Sequence, residues 1–475
     1  MLRVKKYICK ENIKQYKRFI ATKTGLCIND MPHPKGLPLI GTKLELFAAG
    51  SGSKLHEYID YRHKQLGPIF YEILGGNTKL VFINEPEMMK TLFLKLEGKY
   101  PLHILPEPWV LYEKLYGSKR GLFFMNGEEW LFNRRIMNKH LLRENSDKWL
   151  DEPIKATIQK FVQEWKRKAE NGSFVPNLES DLYQLSIDVL ISILLGGESL
   201  TPSKHNKELL LKFAQSVKNI FHTTTKLYGL PVHWCQRLNT KAWRNFKESV
   251  DLSILLAQKI VREILNNKQN VRGLIPKLRQ DNMSDETITR IVADFVIAAG
   301  DTTAYTTLWA LLLLSKNESE AHELLKDPSQ AKHIIKETMR LYPVAPFLTR
   351  ILPKECFLGP YKLNEGTPII ASIYTSGHDE NNFSQANKFL PYRWDRKDSR
   401  QKELLNHVHS ASLPFAFGSR SCIGKKIAMI QLTEIISQVV NNFKLSCENK
   451  TEVAAITSQV LVPNQEIRLR MSIRD

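Results

Sequence analysis

Pro414-Phe415-Ala416-Phe417-Gly418-Ser419-Arg420-Ser421-Cys422-Ile423-Gly424 is the stretch whose reading decides the fold. It presents one cysteine on a turn bracketed by Gly418 and Gly424, just ahead of a helix-like run from Lys425 to Ile436. Glycines let the backbone come close to something large and flat. A helix start offers free N–H groups to a nearby sulfur, which favours its thiolate. A lone cysteine is more often a buried structural residue. Here the pattern around it, F-x-x-G-x-R-x-C-x-G, is long and leaves few degrees of freedom.

A thiolate that accepts backbone hydrogen bonds and faces a planar cofactor suggests a haem ligand. The motif resembles the haem-binding loop of the cytochromes P450. The resemblance runs in order from about residue 36 to the end. It implies a P450 fold, mainly α with small β-sheets (α+β), as a single large helix-rich domain over 42–475. It also implies haem b, with Cys422 as the axial iron ligand and with Phe415 and Gly424 against the cofactor.

Composition sets the outer bounds. In 475 residues, 43% apolar and 25% charged is ordinary for a globular chain with a substantial core. The formal charge of +19 calls for an anionic partner: nucleic acid, a membrane surface or an acidic protein. No zinc-finger spacing, RNA-binding signature or long basic tract appears in the body, so nucleic acid is not expected. Cys9, Cys27, Cys235, Cys356, Cys422 and Cys447 are scattered without a C-x-x-C pair. That argues against a zinc site and a disulfide scaffold, and fits a reducing compartment. No run of about 18 apolar residues marks a spanning helix.

Residues 1–30 carry eight Lys/Arg against Glu11 and Asp30, with Ile13, Tyr16 and Ile20 on one helical face. This reads as a mitochondrial targeting segment outside the fold, although it lacks the usual serines. The Pro/Gly-rich stretch 31–41 reads as a stiff leader. Leu55 to Gly67 reads as a helix. Residues 69–74 and 80–83 read as a hairpin around Gly75-Gly76. Short strands are expected over 357–375, with a closing hairpin over 455–472 around Pro463-Asn464.

Trp130 and Arg134 stand four apart and share a helical face. Their N–H groups can bind an anion, though alone the pair fits a surface arginine covering a tryptophan equally well. In the P450 context they resemble the propionate-binding helix, with Arg420 and Arg350 as further propionate ligands. Ser284-Asp285-Glu286 caps a long apolar helix that runs into Ala298-Ala299-Gly300-Asp301-Thr302-Thr303. Read alone, Gly300 and the polar residues after it mark a kink. The hexapeptide resembles the oxygen-activating segment of P450s, in which Asp301 and Thr302 would relay protons.

Glu337 and Arg340 form an i,i+3 pair, worth roughly 0.2–0.5 kcal/mol when exposed. They resemble the buried Glu–Arg pair of the family, with Arg393 completing a structural triad. Breaking such a network is expected to cost about 3–5 kcal/mol. Between Leu314 and Glu337 the chain is shorter than most relatives, so trimmed helices are expected there.

Lys332, Lys336, Lys425 and Lys426 stand where mitochondrial P450s dock an acidic ferredoxin; otherwise they form a solvated basic face. The resemblance implies an adrenodoxin-like ferredoxin with its NADPH-dependent reductase, O2 as co-substrate, and peripheral contact with the matrix side of the inner mitochondrial membrane. Trp109, Ile291, Phe295, Val344, Pro346, Phe347 and Leu348 are candidates for an apolar cavity suited to a sterol, or equally for core packing. Within the mitochondrial clan the chain most resembles arthropod ecdysteroid hydroxylases, the C2-hydroxylase among them. The alternatives are a mitochondrial P450 that clears xenobiotics, and a haem-binding carrier or sensor.

Overall fold

The computed structural model describes residues 25–117, 120–170, 172–196, 204–227, 230–266 and 273–474. Most of the expected targeting segment, residues 1–24, lies outside the described residues. The fold begins before residue 31, however. Strand β1 (Leu26–Cys27) pairs in parallel with a later strand, Leu26 opposite Tyr361, and Met31 is fully buried. Leu26 and Ile28 pack against the core there.

In chain order α1 (Leu55–Leu66) leads into β2 (Ile69–Glu72) and β3 (Leu80–Ile83). The two strands are antiparallel, with Phe70 opposite Phe82, and Gly75 and Gly76 take the positive φ of the turn. A helical block follows: α2 (Glu107–Tyr116), α3 (Gly127–Leu141), α4 (Asp147–Ala169), α5 (Leu178–Leu195), α6 (Lys204–Leu227), α7 (Lys241–Asn266), α8 (Asp285–Lys316), α9 (Glu318–Lys326) and α10 (Gln330–Leu341). Then come β4 (Phe347–Ile351), β5 (Cys356–Leu358), β6 (Tyr361–Leu363) and β7 (Pro368–Ser372). The chain closes with α11 (Lys425–Asn442), β8 (Phe443–Cys447), β9 (Ala455–Ser458), β10 (Val460–Pro463) and β11 (Leu469–Ile473).

The mainly α architecture with small sheets is as expected. The closing hairpin is not. β9 and β10 reverse at Gln459, which takes φ 63°, whereas β11 pairs with β8. Pro463 ends the β10 ladder opposite Ala455. Its neighbour Asn464 is used instead as a clasp, its side chain accepting from Ala454 N and its own N–H donating to Ala454 O.

The chain falls into two compact units, each discontinuous in sequence. The first takes the described residues up to Ile104, Ala345–Lys388 and Lys402–Ser421. It holds a sheet of order β2-β3-β7-β4, with β3 and β7 parallel, and a smaller sheet β1-β6-β5. Ile69, Val81, Ile83, Phe93, Ile369 and Ala371 form its core. The second unit takes Leu105–Val344, Phe389–Gln401 and Cys422 onward. Here α5 and α8 pack on each other, and α6 on α7. Helix α5 is buried nearly all round, from Leu182 through Leu195.

Helix α8 is the axis of the second unit. The Ser284 hydroxyl accepts from Thr287 N at 3.2 Å, satisfying one of the donors a helix start leaves open. Asp285 and Glu286 complement the dipole in the first turn. α8 is long and apolar enough to cross a membrane, and among the described residues no other helix is; 72% of its apolar window is buried within the protein. It is therefore read as a core helix. Ser284→Ala should lower stability by about 1 kcal/mol in denaturant unfolding, and Ser284→Asp should retain most of it.

Candidate functional site

In the second unit, Cys422 stands just before the start of α11, with Gly424 as the residue that caps the helix. The thiol lies at the surface, yet enough protein crowds the sulfur that desolvation raises its pKa above the ordinary value. A hydrogen bond with the Gly424 backbone and the charges of Arg134 and Lys425 pull the other way without prevailing. The backbone N–H at the helix start does act to favour the thiolate, as expected, but desolvation outweighs it. A Cβ on Gly424 would stand 3.9 Å from the sulfur, an ordinary contact, so nothing within the chain itself demands glycine there.

Trp130 and Arg134 are both buried on α3, on the shared face that their spacing requires. Arg134 is close enough to act on the Cys422 thiol, so the helix and the cysteine turn are neighbours as expected.

In the first unit the loop is fixed by Glu97, which the sequence reading missed. One carboxylate oxygen accepts from Ser419 N at 2.7 Å and from Ser419 Oγ at 2.9 Å; the other accepts from Arg350 Nε at 2.8 Å. Gly418 has φ 81°, and a Cβ there would come within 2.3 Å of both Glu97 Oε1 and Phe93 O. Glycine is required by conformation and by space. Ala416 also takes a positive φ of 56° between Phe415 and Phe417.

Arg350 gives Nε to Glu97 and Nη1 to Thr349 O, and lies over the Phe93 ring. Its Nη2 is buried with no hydrogen-bond partner. Beside it the His103 imidazole is pushed down to about 3, first by burial and then by the charges of Arg420 and Arg350. Two guanidiniums thus act on one buried neutral histidine. This cluster fits a carboxylate such as a haem propionate, and a buried N–H is still open to receive it. His103 gave no signal in the sequence beyond standing in a variable loop.

The predicted structural triad is present and larger than expected. Glu337 accepts from Arg340 Nε at 2.9 Å, Arg340 Nη2 at 2.7 Å, Arg393 Nε at 2.9 Å and Leu390 N at 3.0 Å. Trp394 Nε1 adds a bond at 2.9 Å. Glu337 and Arg393 are fully buried and Arg340 nearly so. Burial pushes the carboxyl up, but the arginines outweigh it, and Glu337 stays below the usual glutamate range.

Helix α8 runs unbroken through Gly300. The glycine is a notch: a Cβ on it would come within 2.6 Å of the Tyr183 ring, which packs in from α5. Thr302 Oγ1 does bond back to Ala298 O, at 2.7 Å. Phe295, Ala298, Ala299 and Thr302 form one partly exposed face at i, i+3, i+4 and i+7. Asp301 is buried on the next face, and desolvation raises its carboxyl to about 6.

Two cavity candidates are used up by packing. Ile291 is fully buried. Trp109 donates to Thr224 Oγ1 at 3.2 Å and carries the Arg120 guanidinium 4.4 Å over its ring. Arg120 in turn pairs with Asp294 of α8. Trp109 and Arg120 thus form a staple that reaches α6 and α8, which favours the core-packing reading. Phe295, Val344, Phe347 and Leu348 remain partly exposed, whereas Pro346 is buried.

Among the docking lysines, Lys426 is committed internally: it pairs with Asp147 at 3.1 Å and donates to Arg143 O and Ser146 Oγ. Lys336 lies over the Trp394 ring at 5.9 Å. Burial lowers its pKa first, then the charges of Lys332, Arg396 and Lys425. Arg396 is thus a member of the basic cluster that the sequence reading passed over.

Comparison with known proteins agrees with this geometry. The family model "Cytochrome P450" matches residues 31–331 and 322–471. The chain belongs to the cytochrome P450 family. It is 38% identical to "Cytochrome P450 315a1, mitochondrial" of Drosophila melanogaster, over 94% of this chain and 88% of that protein. It is 27% identical to the rat "1,25-dihydroxyvitamin D(3) 24-hydroxylase, mitochondrial" (93% and 88%). It is 28% identical to the "Cholesterol side-chain cleavage enzyme, mitochondrial" of Hypanus americanus (86% and 83%). It is a P450 monooxygenase with haem b as cofactor, homologous to mitochondrial steroid- and sterol-type hydroxylases.

Gly418→Ala should sharply reduce haem retention in the purified protein, read as the ratio of haem to protein absorbance. Glu97→Ala should do the same, with Glu97→Gln intermediate because one amide oxygen still accepts from the loop.

Proposed function

We propose that this enzyme hydroxylates an ecdysteroid-like sterol, with electrons delivered by a ferredoxin and its NADPH-dependent reductase. The observation that carries the electron-transfer half is the cluster of Lys332, Lys336, Arg396 and Lys425. Like charges held together at a cost to Lys336 suit an acidic partner. The substrate half is supported by relatives whose names concern cholesterol and dihydroxyvitamin D3, and by the resemblance to ecdysteroid hydroxylases. The relatives' mitochondrial names support a mitochondrial location. Exposed Leu37, Leu39, Ile40, Leu44 and Phe47, with Lys35 and Lys43 among them, support peripheral membrane contact of the first unit.

The residues present fit haem. From the second unit Cys422 would ligate the iron, and Trp130 and Arg134 would hold a propionate. From the first, Arg420 and the open Nη2 of Arg350 would receive propionate oxygen, with Phe415 against the ring. When bound, haem supplies the redox chemistry that activates O2. The chain's own residues do the rest. Burial raises the Asp301 carboxyl to about 6, so it keeps its proton over a pH range in which an ordinary aspartate has lost it. Thr302, anchored to Ala298 O, presents its hydroxyl on the half-open face of α8. The partly exposed apolar side chains of that face exclude water from the reacting carbon.

The test is a spin-state titration of the ferric protein with deoxyecdysteroids, vertebrate steroids and insecticides. A tight optical shift with one ecdysteroid is expected; a shallow shift with every apolar compound would favour xenobiotic clearance. Lys336→Glu should lower ferredoxin-supported turnover at least several-fold at low salt and leave the substrate-induced shift unchanged. Equal turnover with a microsomal reductase alone would overturn the partner.

A further inference from the structure

The segment ahead of α3 is pinned to α8 by several bonds. Arg290 of α8 donates to Arg120 O from Nε at 3.0 Å and from Nη2 at 2.8 Å. Asp294, one turn on, accepts from Phe123 N at 3.2 Å. Gly121 leaves the space for this: a Cβ on it would come within 2.3 Å of Arg290 O and 2.9 Å of Asp294 Cγ. The Arg120 guanidinium is held in turn by rings, 4.4 Å from the Trp109 centroid and 5.2 Å from that of Phe124.

The ion pair that results is unfinished at both ends. Arg120 Nη2 and Asp294 Oδ1 stand 3.5 Å apart, long for a charge-assisted hydrogen bond. Arg120 Nη1 is a buried donor with no hydrogen-bond partner, and Asp294 Oδ1 is a buried acceptor with none. Only 6% and 7% of the two side chains is exposed. Burial raises the Asp294 carboxyl above its ordinary value and lowers the Arg120 guanidinium, so each charge is kept at a cost. A buried pair stabilises only when its remaining donors and lone pairs are answered. As a clasp it is also superfluous, because Arg290 already fastens the backbone of the segment.

One donor and one acceptor are therefore open side by side. A hydroxyl group answers both, its oxygen accepting from Arg120 Nη1 and its hydrogen going to Asp294 Oδ1. A ketone answers only the first, and a hydrocarbon neither. The pair borders the partly exposed face of α8: the exposed Ala298 follows Asp294 at i+4.

We propose that Arg120 and Asp294 bind a hydroxyl group of the substrate and so fix which end of the molecule is presented for oxidation. The inference rests on the sterol reading above. Thr302 stands eight residues after Asp294. At the rise of an α-helix that is roughly 12 Å along the axis, comparable to the long axis of a fused four-ring skeleton. The hydroxyl that is held thus lies at the end of the skeleton away from the carbon that reacts.

The test is a spin-state titration of the ferric holoenzyme with ecdysteroids in which one hydroxyl at a time, at the ring end or the side-chain end, is replaced by hydrogen or by a ketone. With the wild type one position should stand out. Its deoxy compound should bind about tenfold more weakly or worse, the order expected when a buried charged donor loses its acceptor, and its ketone should fall between. Asp294→Asn keeps an acceptor for Phe123 N, and its amide N–H can serve a ketone, so alcohol and ketone should bind within about twofold of each other. Arg120→Gln should remove most of the penalty on the deoxy compound. The wild-type product, identified by NMR, should carry its new hydroxyl at the opposite end of the skeleton; a new hydroxyl beside the held one would overturn the orientation. Equal binding of alcohol, ketone and deoxy compound at every position, or a preference that survives unchanged in Asp294→Asn, means that an ordered water alone fills the pair, and overturns the proposal. Should Arg120→Gln lose its haem, the wild type and Asp294→Asn still decide. A wild type that insecticides shift and no ecdysteroid does overturns the sterol reading, and this inference with it.

Discussion

The buried carboxylate of Glu337 is the constraint on which the second unit depends. A charge with no exposure is tolerable only when every lone pair is answered. Here two arginines, an indole N–H and a backbone N–H answer it, from α10 and from the segment Leu390 to Trp394. That segment has almost no regular structure of its own, only a short 3-10 turn. Its position is dictated by one glutamate fifty-odd residues earlier in the chain. The same turn supplies Trp394, over which Lys336 lies, so the basic cluster is held by the ring that also serves the carboxylate.

The first unit uses the same device. Glu97 fixes Ser419 and Arg350, while Gly418 keeps the space in which that carboxylate sits. Within each unit one irregular segment is therefore set by a single buried acid rather than by strand or helix. Hydrogen bonds from fixed donors define position more sharply than apolar packing, which tolerates sliding.

Much of this was legible in the sequence because the motifs are local. The Cys422 loop, the Trp130–Arg134 spacing and the Glu337–Arg340 pair each lie within a few residues, and helical or turn periodicity alone places their members together. Glu97, His103 and Arg396 were not legible. Each acts through a partner distant in sequence, 322 residues away for Glu97 and Ser419, and no periodicity connects them. Two neighbours could not be read in advance: Gly300 is a notch filled by the Tyr183 ring, and of the two readings open for Trp109, cavity wall and core packing, the engagement of its N–H and ring favours packing. A sequence shows that a residue is unusual for its place before it shows which neighbour made it so.

The notch at Gly300 has a wider consequence. Tyr183 enters it from α5. Any side chain at position 300 would push the Tyr183 ring out of the notch. Packing density in the core and electrostatic environment at Asp301 are thus not separate variables in this protein. Because burial is what raises the Asp301 carboxyl, a larger residue 300 that loosens this packing would also change the proton affinity one residue on.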